Sequence, residues 1–283
     1  MPDLMPVDRV LRRGPRPATI PLRRLLPNIL TTLSLCSGLA ALHFALAGDW
    51  DRALSAIAVA AVFDVLDGGA ARLLKATSRF GAVLDSLSDF LSFGVAPALI
   101  LHQWMLKDAE APGLAATMTF VLCSALRLAR FTSTPSLPSS SPLARFFTGL
   151  PTPAAASIAL IPVMLEAARQ VQYRLPEWLV IVHVVFVAWL MVSRQPCFSL
   201  KKIRIKRHLV MPLMVALGLV VVAAAKAPWL TAACVAAGYM LTIPLSIMRH
   251  TAMRRDLIAR GEPVSPAEFA QESAAAGEPV AAS

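Results

Sequence analysis

The chain has 283 residues, 57% of them hydrophobic and 16% charged, with mean hydropathy +0.63 and a formal charge of +10. Soluble domains carry about 45–50% apolar and about 25% charged residues, so this composition excludes a disordered chain, a collagen-like fibre and a secreted disulfide scaffold. The apolar residues come in runs of about 20, the length a helix needs to cross a hydrocarbon core of about 30 Å. An all-α, polytopic integral membrane protein is expected.

Residues 1–24 form a basic leader carrying Arg9, Arg12, Arg13, Arg16, Arg23 and Arg24. The first apolar run behind it is long for a secretory signal and shows no small-residue cleavage site, so a retained helix is expected, with the leader on the cytoplasmic surface. Eight apolar segments follow, at 25–47, 52–71, 82–106, 113–131, 151–169, 177–193, 209–225 and 228–248. Together they make a transmembrane domain over 25–250, followed by a cytoplasmic tail, 251–283, whose Ala, Pro, Ser, Gly and Glu content from 261 predicts disorder. Residues 132–148 read as a Ser/Pro-rich loop.

Eight crossings from a cytoplasmic N-terminus leave 22 of the 27 Lys and Arg inside and only Arg52, Lys107, Arg169, Arg174 and Lys226 outside. By the positive-inside rule both termini face the cytoplasm. Cys36, Cys123 and Cys234 lie in apolar runs, and together with Cys197 they show no C-x-x-C spacing, so they are expected to be small buried hydrophobes. Tyr173 and Tyr239 are the only tyrosines, too few for base stacking, so the positive charge points to a membrane surface or a phosphate substrate and not to nucleic acid. The histidines His43, His102, His183, His208 and His250 are isolated and suggest no ligand set.

Of the seventeen acids, Asp64, Asp67, Asp85 and Asp89 fall within or beside the second and third segments, near their cytoplasmic ends. A charge at the bilayer centre costs about 2.5–3.5 kcal/mol on insertion scales, so four clustered acids need compensation. Asp64 and Asp67 are three apart and Asp85 and Asp89 four apart, which puts each pair on one helix face. The short basic stretch Arg72–Phe80 lets the two faces oppose each other. Carboxylate oxygens are hard ligands suited to Mg²⁺ or Mn²⁺, and two such ions about 3.5–4 Å apart can clamp a phosphoryl group. The competing reading is a structural charge network with Arg72, Lys75 and Arg79. Gly68 and Gly69 would let a ligand approach the backbone, or serve close helix packing. Arg72 can fork onto phosphate oxygens or act as an interfacial anchor.

The pattern Asp64-x-x-Asp67-Gly68-x-x-Ala71-Arg72, eight residues, Gly81, three residues, Asp85, three residues, Asp89 resembles the signature of the CDP-alcohol phosphatidyltransferase family at every fixed position. The resemblance implies a membrane transferase that moves a phosphatidyl group from CDP-diacylglycerol to an alcohol and releases CMP. It further implies that Asp64, Asp67, Asp85 and Asp89 bind two Mg²⁺ or Mn²⁺ ions, with Asp89 also the general base. Asn28 to Thr31 resembles the family's nucleotide-contact stretch, and Gly68, Arg72 and Ser78 match its other donor contacts.

Ser92 to Pro97, Leu126 to Phe131, Gly149 to Ala156 and the basic run Lys201 to Arg207 are similar to the bacterial and archaeal members that use L-serine as acceptor. Thr132 departs from the Asn expected after the Arg-Phe pair. A zwitterionic acceptor wants a cation near the metals, which Arg127 or Arg130 can supply. Family members resemble homodimers of the prokaryotic plasma membrane. The alternatives are choline, glycerol 3-phosphate or an inositol phosphate as acceptor, or an ion or proton transporter using the acids as its pathway.

Overall fold

A computed structural model describes residues 22–74, 76, 78–133, 146–168, 175–193, 196–198 and 210–259. The leader before residue 22, Lys75, most of the 132–148 loop, Arg169, Arg174, the run Lys201 to Arg207, His208 and the tail beyond 259 lie outside these residues.

The first helix, α1 (Leu22–Leu46), turns through Gly48 into α2 (Trp50–Leu73), whose cap is Asp49, accepting from the Arg52 N–H. A third continuous helix covers Arg79–Leu106 and divides into α3 (Arg79–Asp89), a π-helical turn (Phe90–Val95), α4 (Ala96–Leu101) and a second π turn (His102–Leu106). Pro97 explains the first π turn: it has no N–H to give the preceding turn and its ring crowds that turn, so the ladder widens just before it. Then come α5 (Glu110–Ser133), strand β1 (Phe146–Thr148), α6 (Thr152–Ala159), α7 (Ile161–Ala167), α8 (Glu177–Val192), strand β2 (Pro196–Phe198), α9 (Val210–Lys226) and α10 (Pro228–Ala259).

Among the described residues five helices are long and apolar enough to cross a membrane: α1, α2, the Arg79–Leu106 helix, α5 and α10. The remaining expected segments are shorter. The 151–169 segment is not one helix, because it breaks at Leu160, two residues before Pro162, into α6 and α7. At 16 and 17 residues, α8 and α9 reach about 24–26 Å. The all-α class holds, with one small addition: β1 pairs antiparallel with β2, Phe147 opposite Cys197. Gly149 leaves this ribbon with φ +82°, and a Cβ there would meet the Met191 and Ser193 carbonyls, so only glycine fits. At the other boundary α10 carries helix nine residues past position 250.

Burial follows membrane logic. Small residues such as Ala41, Ala53, Ala60, Ala155 and Ala156 fill the interior, while Val65, Leu122 and Trp189 point outward. Cys36 and Cys234 are exposed on helix surfaces, contrary to the buried role expected of them, because in lipid an apolar side chain gains nothing by facing inward.

The helix that organises the bundle is α1, against which both acid-bearing helices pack. Ser34 donates to the Ala60 carbonyl of α2 at 2.9 Å, Ser88 donates to the Thr31 carbonyl at 3.2 Å, and Ser92 donates to the Ser34 carbonyl at 3.2 Å. Gly38 makes the last approach possible, since a Cβ there would collide with Ser92. Farther along, His183 bonds the Ile158 carbonyl at 2.9 Å and His102 bonds Thr117 at 3.3 Å, which gives these two histidines packing roles.

Candidate active site

With α2 and α3 anchored on α1, the four predicted carboxylates converge. Asp64, Asp67 and Asp85 each present an oxygen, and the three lie within 4.8 Å of one another. Asp89, one turn beyond Asp85 and directly before the π turn, lies within electrostatic reach of Asp64, Asp85 and Arg127. All four line one cavity of about 1030 Å³.

The donor set fits a divalent cation. Mg²⁺ binds oxygens at about 2.0–2.1 Å, so ligands on opposite sides of one ion lie about 4 Å apart, and three oxygens within 4.8 Å of one another need only a small adjustment to reach it. Asp67 is 4% exposed and its Oδ2 has no hydrogen-bond partner among the described residues. A buried carboxylate oxygen left without a proton donor is costly unless a cation faces it. The Thr31 hydroxyl stands beside the same carboxyl, and Thr31 also donates to the Pro27 carbonyl at 3.0 Å.

The other predicted contacts surround this cluster in different ways. Gly68 lines the cavity, and its nearest neighbour there is the Arg72 guanidinium, 3.8 Å from where a Cβ would stand. Around Gly69 there is nothing within 4 Å among the described residues, so neither glycine makes a close helix packing contact with them. Arg72 is exposed, also lines the cavity, and donates from Nε to the Gly68 carbonyl at 2.8 Å, which fixes its guanidinium beside the glycines.

Asn28, Thr31 and Ser78 do not line the cavity: Asn28 and Ser78 stand at the start of α3, while Thr31 lies beside Asp67 and its carbonyl accepts from Ser88 near the end of α3. Ser78 caps that helix, accepting the Gly81 N–H at 2.9 Å. A Cβ on Gly81 would lie 2.9 Å from Asn28 Oδ1 and 3.0 Å from Ser78 Oγ, so the bare backbone keeps the Asn28 amide and the Ser78 hydroxyl close to each other, one turn from Asp85.

The two arginines of α5 part company. Arg127 is buried, lines the cavity and donates to the Thr152 hydroxyl in the first turn of α6. Arg130, three residues on, donates to the Val192 carbonyl at 3.0 Å and to the Ser193 carbonyl at 3.4 Å, bracing the end of α8. Of the two, Arg127 is the one brought to the carboxylates.

Sequence reasoning missed three features of the site: Thr152, the π turn after Asp89, and the wall that α10 supplies with Trp229, Val235 and Tyr239. Pro97 signals the π turn. The other two depend on contacts between distant segments.

Residues 24–190 match the family model for CDP-alcohol phosphatidyltransferase. A protein of Mycobacterium leprae named CDP-diacylglycerol–serine O-phosphatidyltransferase is 33% identical over 225 residues, 79% of this chain and 75% of that protein. Proteins of the same name from Helicobacter pylori and Methanocaldococcus jannaschii are 33% identical over 198 residues and 38% identical over 129 residues. The first of these alignments covers 70% of this chain and 82% of the relative, the second 46% and 55%.

Proposed function

This chain belongs to the CDP-alcohol phosphatidyltransferase family, and we propose that it transfers the phosphatidyl group of CDP-diacylglycerol to the hydroxyl of L-serine, giving phosphatidylserine and CMP. The observation that carries this reading is the meeting of four carboxylates and one buried arginine on a single cavity, in a chain whose relatives bear the name of that reaction.

Asp64, Asp67 and Asp85 would hold divalent metal, with Asp89 touching the second ion. Two Mg²⁺ or Mn²⁺ ions bound there would supply positive charge against the donor's diphosphate and the CMP leaving group. Asp89 accepts the serine hydroxyl proton while that oxygen forms its bond to the phosphatidyl phosphorus and the bond to CMP breaks. Arg127 receives the serine carboxylate, and its bond to Thr152 fixes the direction of the guanidinium. Asn28 and Thr31 meet the nucleotide of the donor, and Gly68, Arg72 and Ser78 make its other contacts. Because acceptor and donor are held together, no covalent intermediate on the chain is needed.

The Lys and Arg distribution supports eight crossings with both termini in the cytoplasm. In that arrangement the soluble acceptor arrives from the cytoplasm while the donor's chains stay in lipid. Resemblance to the family adds a homodimer in a prokaryotic plasma membrane.

The direct test is CMP release from CDP-diacylglycerol by the purified chain with Mg²⁺ or Mn²⁺, offering serine, glycerol 3-phosphate, choline and an inositol phosphate separately. Release that needs serine and stops with chelator is expected. Stimulation by another alcohol alone would replace serine as acceptor, and no release with any of them would remove the transferase reading of this site.

A further inference from the structure

The cavity is longer than the headgroup chemistry needs. Its charged lining, Asp64, Asp67, Arg72, Asp85, Asp89 and Arg127, gathers at one end. From there the lining on α2 continues through Ala58 to Ser55. Asp67 and Ser55 are separated by about 18 Å of helix rise. An acyl chain confined to one leaflet of a hydrocarbon core about 30 Å thick reaches about 15 Å. Across this extension stands α10, which contributes Trp229, Ala232, Val235, Ala236 and Tyr239, a set with helical spacing that forms one face. Most of these side chains are small, so the extension stays open. Ser55, Ser157 and Thr231 also line it, each with its hydroxyl turned onto the carbonyl four residues before it, so a cavity charged at one end and largely apolar along the rest has the chemical form of a lipid.

Its far end carries a large ring held in place. Trp229 Nε1 donates to Asp51 Oδ1 at 2.7 Å, and Asp51 lies in the first turn of α2, at the opposite end of that helix from Asp67. The hydrogen bond restricts the indole, and the lining stops in its neighbourhood. This wall lies outside the matched residues 24–190 and belongs to the C-terminal part of the chain.

We propose that the extension receives one acyl chain of the CDP-diacylglycerol donor and that Trp229 closes it, setting the chain length the enzyme accepts. The proposal rests on the transferase reading and adds a specificity-determining residue to it. Trp229→Ala opens the floor. Ala58→Phe, at an exposed position on the cavity wall, fills the middle of the extension without disturbing the core.

The test is serine-dependent CMP release by the full chain in mixed micelles, with dioctanoyl, dipalmitoyl and diarachidoyl CDP-diacylglycerol as donors. The readout is the ratio of kcat/KM values between donors for the same protein preparation, which cancels differences in folded fraction. Trp229→Ala should raise the diarachidoyl-to-dipalmitoyl ratio about tenfold, and Ala58→Phe should lower the dipalmitoyl-to-dioctanoyl ratio by about as much. Active variants that keep the wild-type ratios overturn the proposal and leave the transferase reading standing. If Trp229→Ala does not fold, Ala58→Phe alone decides between these outcomes. A wild-type chain that releases no CMP from any donor removes the transferase reading, and the proposal falls with it.

Discussion

Buried Arg127 on α5 donates from Nη1 to the hydroxyl of Thr152 in the first turn of α6, and both residues line the cavity that holds the four carboxylates. Through this bond a helix otherwise engaged with α8 reaches across to set one wall of the site. Removing the acceptor while keeping its volume, as in Thr152→Val, leaves the guanidinium without its guide. KM for serine should rise about tenfold with little change in KM for the donor, and thermal unfolding should reveal a loss of about 1–3 kcal/mol, the cost of stranding a buried polar group.

Arg130→Ala should behave differently. Its guanidinium holds the Val192 and Ser193 carbonyls at the end of α8, so its loss exposes that helix terminus. Lower thermal stability with KM for serine close to wild type is expected. A large KM effect in this variant would return Arg130 to the acceptor site.

Asp89 is proposed to take the hydroxyl proton. Asp89→Asn keeps the size of the side chain and removes the base, so turnover should fall about 10²–10⁴-fold. Binding of CMP, followed by calorimetry, should survive. Near-normal turnover in this variant would assign the base elsewhere.

Metal occupancy can be read without turnover. Mn²⁺ binding followed by electron paramagnetic resonance should be present in the wild type and lost in Asp67→Asn, because Asp67 supplies the buried oxygen that lacks any other partner among the described residues. Mg²⁺ should also raise the unfolding temperature of the wild type, since a ligand that binds only the folded state stabilises it. Undiminished Mn²⁺ binding by the variant would take Asp67 out of the ligand set.

The acid cluster was legible in the sequence because spacings of three and four residues fix which side chains share a helix face, whatever surrounds the helix. Arg127 and Arg130 also lie three apart, yet one reaches the carboxylates and the other a helix end. Nothing local separates them, because their partners Thr152 and Val192 are 25 and 62 residues away. The bond between Trp229 and Asp51 spans 178 residues and is equally invisible from either segment. Pro162, by contrast, signals locally that 151–169 cannot continue as one helix, and hydropathy alone overlooks it. The role of α1 lies between these cases: Ser34 and Gly38, and likewise Ser88 and Ser92, have the four-residue spacing of small residues at a close helix crossing, but the sequence does not say which pair meets which.

That crossing gives a contrast between two glycines. A Cβ on Gly38 collides with Ser92, including its Cα at 2.9 Å, and backbone cannot move aside as a flexible side chain would. Gly38→Ala should therefore push the π turn away from α1 and cost about 1–3 kcal/mol. Because Ser88 and Ser92 both hang on α1 carbonyls, the shift would carry Asp89 with it and turnover should fall as well. Gly69 has nothing within 4 Å among the described residues, so Gly69→Ala should raise helix stability by up to about 1 kcal/mol through propensity alone. Thermal unfolding of both variants in the same detergent checks the pair, and a Gly38→Ala protein as stable as the wild type would show that the α1 crossing does not depend on glycine.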